Sequence, residues 1–308
     1  MMNLRGFINI DKPKDLTSFD VVREIRKATK IKKVGHAGTL DPDATGVLPI
    51  AIGQATRFLP FLVDSTKKYR GIIRFGISTD TYDSSGRITA QEDASNLTRN
   101  SINENLKHFI GDILQKPPIY SAIKKNGVRA YTIARQGKRV DLEPRKVRVL
   151  ELILKRFDYS NPKHPLAEIE IICEKGFYIR SLAHDLGLKL GTYGHLEELS
   201  RTQVGQFKLE NSVDLSQAKK LLENGDTDQI VNSIDSILED WPAIIIGPND
   251  VARIYNGVDI HIKDIQMSSQ QSDYDNAKCY GPNGELIALV KKNKTNGAWH
   301  PYKVIQPN

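Results

Sequence analysis

The stretch Gly35-His36-Ala37-Gly38-Thr39-Leu40-Asp41-Pro42-Asp43-Ala44-Thr45-Gly46 concentrates the residue types from which a reactive site can be built. Its glycines let backbone approach a ligand closely, and Pro42 restricts the residue before it, which aims the Asp41 carboxylate. A carboxylate held in this way can act as a nucleophile on a glycosidic carbon. The same residues also read, with equal weight, as a surface loop in which Asp41 caps a turn. No phosphate-binding loop, His-Glu-x-x-His helix or dinucleotide-type glycine fingerprint occurs in the sequence. His36, His184 and His195 lack metal-ligand spacing, and the only two cysteines, Cys173 and Cys279, give neither a zinc site nor a disulfide framework. The expected chemistry therefore uses side chains alone, with no cofactor and no metal.

Several elements must position this loop. Residues 5–10 alternate into a short strand that stops at Asp11-Lys12-Pro13. Thr17 and Ser18 offer an N-cap, Asp20 completes a capping box with Thr17, and Phe19, Val22 and Ile25 recur at helical spacing, so 18–29 reads as an amphipathic helix. Residues 34–53 read as a long shaped loop ending in a buried apolar stretch at 47–52. A strand is expected over 69–77 and a helix over 102–110, closed by Gly111. A hairpin should turn at Asn126-Gly127, followed by a short helix from Tyr131 to Gly137. Further strands are expected over 147–157 and 167–173, and a strand-to-helix passage over 177–190, closed by Gly191. Residues 212–240 read as helical and acidic-polar, with a linker near Asn224-Gly225-Asp226. Beyond Pro242, short strands and turns suggest a small β-rich appendage. Strands and helices mix without regular βαβ alternation, so the fold class is α+β, with a mixed, mostly antiparallel central sheet and flanking helices.

At 308 residues the chain can hold one large core or a main domain with an appendage. A net charge of +7 gives an even choice between an anionic partner such as nucleic acid and plain solubility. No apolar run suffices for a signal peptide or a membrane span, so a cytoplasmic location is expected, with no membrane partner.

The run from Gly35 to Pro49, continuing to Gly53-Gln54-Ala55-Thr56-Arg57, resembles the signature of the TruB family of tRNA pseudouridine-55 synthases. Four further segments resemble its other motifs in family order and spacing. These are Lys67-Lys68-Tyr69-Arg70; Lys116-Pro117-Pro118-Ile119-Tyr120-Ser121-Ala122-Ile123-Lys124 with Gly127, Arg129, Tyr131 and Ala134-Arg135; Lys175 to Leu182 with Asp185-Leu186-Gly187; and Leu199-Ser200-Arg201-Thr202. The resemblance covers nearly the whole chain. It implies a pseudouridine synthase fold over 1–241 and a PUA-like RNA-binding domain over 242–308.

The resemblance also implies roles. Asp41 would be the nucleophile, Tyr69 would stack on the uracil, and Arg180 would pair with Asp41. Tyr178 and Leu199 would line the base pocket, and His36 would sit against a flipped-out nucleotide. Without the motifs, Tyr69 and Tyr178 read as half-buried strand aromatics, Arg180 as a surface ion pair, and His36 as a loop hydrogen bond. The implied substrate is tRNA, gripped at the T-arm by Lys67, Lys68, Arg70, Lys124, Lys125, Arg129 and Arg135. The acceptor end would meet the C-terminal appendage with Lys291, Lys292 and Lys294. A monomer without guide RNA is expected. The alternatives are a guide-RNA-dependent, dyskerin-type synthase and a tRNA-folding chaperone. Two positions depart from the family pattern. Asp15 stands where glycine is usual, so the turn before the first helix is expected to differ, and Ser200 stands where arginine is common.

Overall fold

The first strand, β1 (Gly6–Lys12), buries Phe7, Ile8 and Ile10 completely, so both of its faces are covered. In the computed structural model, which describes residues 4–121, 123–125, 127–135, 141–261 and 274–307, β1 lies in an 11-stranded mixed sheet. Helix α1 (Ser18–Thr29) starts at Thr17, whose hydroxyl accepts from the Asp20 backbone N–H at 3.0 Å, while Asp20 accepts from the Thr17 N–H at 3.0 Å. This capping box satisfies two otherwise unpaired donors and marks the helix start that the sequence indicates.

The region expected as a long loop over 34–53 is instead a hairpin. Strand β2 (Val34–His36) pairs with the far end of β3 (Thr45–Ile52), which leaves a shorter loop between them. Glycines and prolines hide these strands from a periodicity reading, yet β3 is buried along nearly its whole length, and burial on both faces erases alternation. Strand β3 runs antiparallel to β1 on one side and parallel to the strand Gly194–Val204 on the other. That strand then pairs antiparallel with β4 (Lys67–Phe75), and the sheet continues through Leu166–Cys173, Arg145–Asp158 and Gly111–Gln115.

Strand Gly194–Val204 sits at the centre of the sheet although its sequence is mostly polar. Two register shifts, between Leu196 and Glu198 and between Arg201 and Gln203, break its period of two. Its polar side chains are tied down instead: His195 and Arg201 are both buried. Strand Leu166–Cys173 alternates cleanly, with Ala167, Ile169, Ile171 and Cys173 inside, and only Ile172 blurs the pattern in sequence. The expected strand over 69–77 ends at Phe75, because Gly76 turns the chain at φ +81°. The expected helix over 102–110 spans Arg99–Leu106 with a tight turn after it, and Gly111 follows at φ +89°. The helix Ile179–Lys189 fills the expected 177–190 passage.

The hairpin Lys124–Lys125/Val128–Arg129 and the helix Ala130–Arg135 match expectation, while Asn126 and Gly137 lie outside the described residues. The expected linker near 224–226 is not one. Gly225 closes the helix Leu215–Asn224, and Val231–Asn232 returns to pair with β1. Beyond it, a four-stranded sheet (Ala243–Ile245, Asn276–Tyr280, Leu286–Lys292, Trp299–Val304) carries a helix, Pro248–Tyr255, absent from the strand-and-turn reading. Leu289 of this sheet and Ile305 just beyond it share a core with Phe7, Phe58 and Leu62, so the C-terminal part packs directly on the first sheet. No helix among the described residues is long and apolar enough to cross a membrane.

Candidate active site

Arg180 stands in the first turn of the helix Ile179–Lys189. The preceding residue, Tyr178, is held by the Gln115 carboxamide, which accepts from the Tyr178 N–H at 2.8 Å and donates to its carbonyl at 3.0 Å. This side-chain clamp imitates strand pairing and fixes where the helix begins. The Arg180 guanidinium is then spread over four oxygens. Its closest approach to Asp41 is 3.0 Å, from Nε to Oδ2, and Nη1 lies 3.3 Å from Asp83 Oδ2. Nη1 also donates to the Thr81 carbonyl at 3.3 Å, and Nη2 to the Tyr120 carbonyl at 2.9 Å. Arg180 is not the surface ion pair that its residue type alone permits, since its side chain is 7% exposed.

The Asp41 carboxylate, 45% exposed, looks into a narrow pocket with Asp43, Asp83, Leu196, Glu198 and Leu199 around it. Protein packed on its other sides pushes its pKa above the ordinary carboxylate value. Arg180 opposes the shift, Asp83 and Asp43 add to it, and Lys12 draws it down again. The cavity itself is only about 20 Å³, the room of about one water.

Below the loop lies Lys12, fully buried, with Nζ donating to the carbonyls of Pro13 (2.8 Å), Leu16 (2.7 Å) and Pro42 (3.0 Å). Burial lowers its pKa to about 8, so it still carries its charge at neutral pH and fastens the backbone just beyond Asp41. The Asp15 N–H shares the same Pro42 carbonyl at 3.0 Å. Asp15 adopts φ +67°, a left-handed conformation that suits glycine better than aspartate. Asp15→Gly is expected to stabilise the protein by up to about 1 kcal/mol, seen as a modest rise in Tm with turnover unchanged. A fall in Tm would mean that the Asp15 side chain contributes more than its backbone costs.

A second buried guanidinium, Arg201, holds the other flank. Its Nε donates to the Val47 carbonyl at 2.8 Å and its Nη2 to the Gly38 carbonyl at 3.1 Å, and its charge acts on the Tyr69 hydroxyl. Gly46, at φ +99°, is required here because a Cβ would lie 2.2 Å from the Arg201 carbonyl oxygen. Gly46→Ala is expected to cost about 3 kcal/mol or more and to impair activity even in the folded fraction, because the forced shift displaces the Asp41 loop. Chemical denaturation and single-turnover assays would measure the two effects. A variant unchanged in both would refute the close approach.

The other expected site residues fall in three groups. Leu199 shares the Asp41 pocket. Tyr69 and Tyr178 are half-buried, their hydroxyls held above the usual pKa mainly by burial, and the Asp41 charge acts on both. His36 ends β2 and does not line the Asp41 pocket. Burial and the Arg201 charge lower its pKa, and its buried Nδ1 has no hydrogen-bond partner among the described residues. His184 stacks on Tyr82 with ring centroids 3.9 Å apart, and His195 bonds the Ile77 carbonyl and Glu197.

One expected RNA contact is overturned. The Lys67 ammonium is buried and caps the carbonyls of Leu62, Val63 and Ser65, so it cannot meet a phosphate. Lys68 and Arg70 remain at the surface, paired with Glu170 (3.3 Å) and Glu168 (2.6 Å). The side chains of Lys124, Lys125, Arg129 and Arg135 lie outside what is described. Sequence reasoning gave no role to Asp83, Lys12 or Arg201. Asp83 sits in the Asp/Ser/Gly turn 80–86, whose composition marks a loop and nothing more.

Residues 26–179 match the family described as TruB family pseudouridylate synthase (N terminal domain), and residues 180–239 match tRNA pseudouridylate synthase B C-terminal domain. The chain is 37% identical over 299 residues to a tRNA pseudouridine synthase B of Dehalococcoides mccartyi, covering 97% of this chain and 96% of the relative. It is 38% identical over 291 residues to the protein of that name in Clostridium tetani, covering 94% and 96%. Among solved structures, a chain in a Cbf5-Nop10-Gar1 complex superposes with a TM-score of 0.71 at 26% identity, covering 98% of this chain and 85% of that one. A chain in an H/ACA RNP bound to a substrate RNA containing 2'-deoxyuridine gives 0.72 at 26% identity, with the same coverage. The Asp41 loop, its two guanidinium supports and these full-length matches agree, and the chain belongs to the TruB family of pseudouridine synthases.

Proposed function

We propose that this enzyme isomerises uridine 55 in the T-loop of tRNA to pseudouridine, with Asp41 as the nucleophile. The observation that carries the reading is the Asp41–Arg180 pair at 3.0 Å, open on one side to a pocket and closed on the others. The reaction breaks the N1–C1′ bond, turns the base over, and joins C5 to C1′, with the C5 proton lost and N1 protonated. Nothing is oxidised or reduced. A carboxylate can trap or stabilise the sugar while the free base reorients, as in retaining glycosidases. Arg180 keeps Asp41 ionised against burial. Tyr69 and Tyr178 supply aromatic faces for the base, and Leu199 supplies an apolar wall.

The target nucleotide has to leave its stack to reach Asp41. The acidic rim of Asp43, Asp83 and Glu198 repels phosphate, which favours entry of the nucleoside portion alone. Backbone contacts then fall to surface cations such as Lys68 and Arg70 and to the C-terminal sheet with Lys291 and Lys292, read as a PUA-like domain over 242–308. On this reading residues 1–241 form the catalytic domain, and the enzyme works as a cytoplasmic monomer with His36 against the flipped nucleotide.

The superposition on Cbf5 favours a second reading, a guide-RNA-dependent synthase. Purified protein incubated with unmodified tRNA and no guide RNA, followed by position-resolved pseudouridine mapping, separates the two. Pseudouridine at position 55 alone is expected. Activity only after a guide RNA is added would reverse the choice, and tRNA refolding with no pseudouridine at any position would favour a chaperone.

A further inference from the structure

A polar cleft of about 400 Å³ opens at the edge of β1, beside the helix Leu215–Asn224, and shares no lining residue with the Asp41 pocket. Its floor is Asn9, 3% exposed. This residue falls between two short partners of β1, since Ile8 pairs with Val231 and Ile10 with Val213. Asn9 Nδ2 donates to the Lys208 carbonyl at 2.7 Å, which fixes the orientation of the carboxamide. Its Oδ1 is buried and has no hydrogen-bond partner among the described residues. A buried acceptor left unpaired is costly, so a donor that reaches it from the cleft is rewarded. Asn232 likewise gives its Nδ2 to a backbone carbonyl, that of Phe7 at 3.3 Å, and keeps its oxygen as an acceptor.

The rest of the lining narrows the ligand. The Asp228 carboxylate adds further acceptors, and Gln217 and Gln229 add carboxamides, which suit the edges of nucleobases. The lining is mostly polar, and Val213, Leu221 and Ile230 add only a small apolar part to it. No Lys or Arg lines the cleft among the described residues, so a phosphate gains nothing there. We propose that this cleft is a second ligand site that takes a nucleoside with an exocyclic amino group. Amino and ribose hydroxyl donors would meet Asn9, Asn232 and Asp228. Uridine, whose base offers a single N–H donor, fits poorly. The nucleoside can be free or an unstacked residue of bound RNA, because both present the same groups.

The test is a titration of the isotopically labelled full-length protein with adenosine, cytidine, guanosine and uridine, following the side-chain amide resonances of Asn9, Gln217 and Asn232. An amino-bearing nucleoside should saturate these shifts at a concentration about tenfold below that needed for uridine, and Asp228→Ala should weaken it about tenfold with turnover unchanged. Added tRNA that displaces the nucleoside identifies an RNA nucleotide as the source, and no displacement identifies a free nucleoside. Uridine binding as tightly as the others would overturn the donor assignment. Silence of all three amides with every nucleoside and with tRNA would leave a water-filled cleft and end the proposal.

Discussion

Asp41→Asn is expected to lower the single-turnover rate by about 10⁴-fold or more and to leave tRNA affinity within about threefold of wild type. The amide keeps the shape of the carboxylate but cannot act as a nucleophile or balance developing positive charge on the sugar. The wild-type pH profile carries the matching signature. Burial and the neighbouring Asp83 and Asp43 hold the Asp41 pKa above its ordinary 3.8, beyond what Arg180 recovers. With ionised Asp41 as the proposed nucleophile, the acid limb of the rate profile is expected at a higher pH than for an ordinary aspartate. Asp83→Asn removes one of the two acidic neighbours and moves that limb to lower pH. Rate measurements on a T-arm stem-loop across the acid range check both statements. Residual pseudouridine formation by Asp41→Asn at more than a few per cent of the wild-type rate would remove Asp41 from its role. An unmoved limb in Asp83→Asn would disconnect the two carboxylates.

Arg180→Lys, conservative in charge, lowers the rate by about 10²- to 10³-fold with tRNA affinity little changed. A guanidinium can hold a carboxylate through a fork of two parallel bonds. The structure instead brings Nε nearest to Asp41 and engages the Nη groups with Asp83 and the carbonyls of Thr81 and Tyr120. That arrangement makes the substitution more damaging. One ammonium cannot reach four oxygens spread around a planar group, so carbonyls are left buried without donors and the turn carrying Asp83 loses its anchor. The variant should also lose about 2–3 kcal/mol of stability, so the rate is compared per folded molecule, with a binding titration in parallel. A near-normal rate would sink the pairing as a source of catalysis. A pure affinity loss would place Arg180 among the phosphate contacts.

Local chemistry made part of this protein legible in one dimension. The capping box at Thr17 and Asp20, the glycine that ends each of several elements, and the Gly/Asp/Pro loop around Asp41 act over a few residues, so spacing reveals them. The same motif order carried the family and the Asp41–Arg180 partnership. What stayed hidden depends on contacts between distant segments. Strand Gly194–Val204 reads as polar because its buried side chains are satisfied by partners from elsewhere, Arg201 by the carbonyls of Val47 and Gly38. Lys67 reads as an RNA contact because a lysine's sequence context does not show that its ammonium ends on three backbone carbonyls. Asp15 reads only as a departure from the family pattern, and its left-handed backbone, with its N–H on the Pro42 carbonyl that Lys12 also holds, shows only in three dimensions. Asp83 and Lys12 gain their places at the site only when three loops converge on Pro42 and Arg180. The motifs in the sequence by themselves singled out Asp41 and its guanidinium partner, and the structure brings the two together. Tertiary structure alone decided which buried charges hold that pair in place, because the stability of a buried charge depends on oxygens supplied by segments far away in the chain.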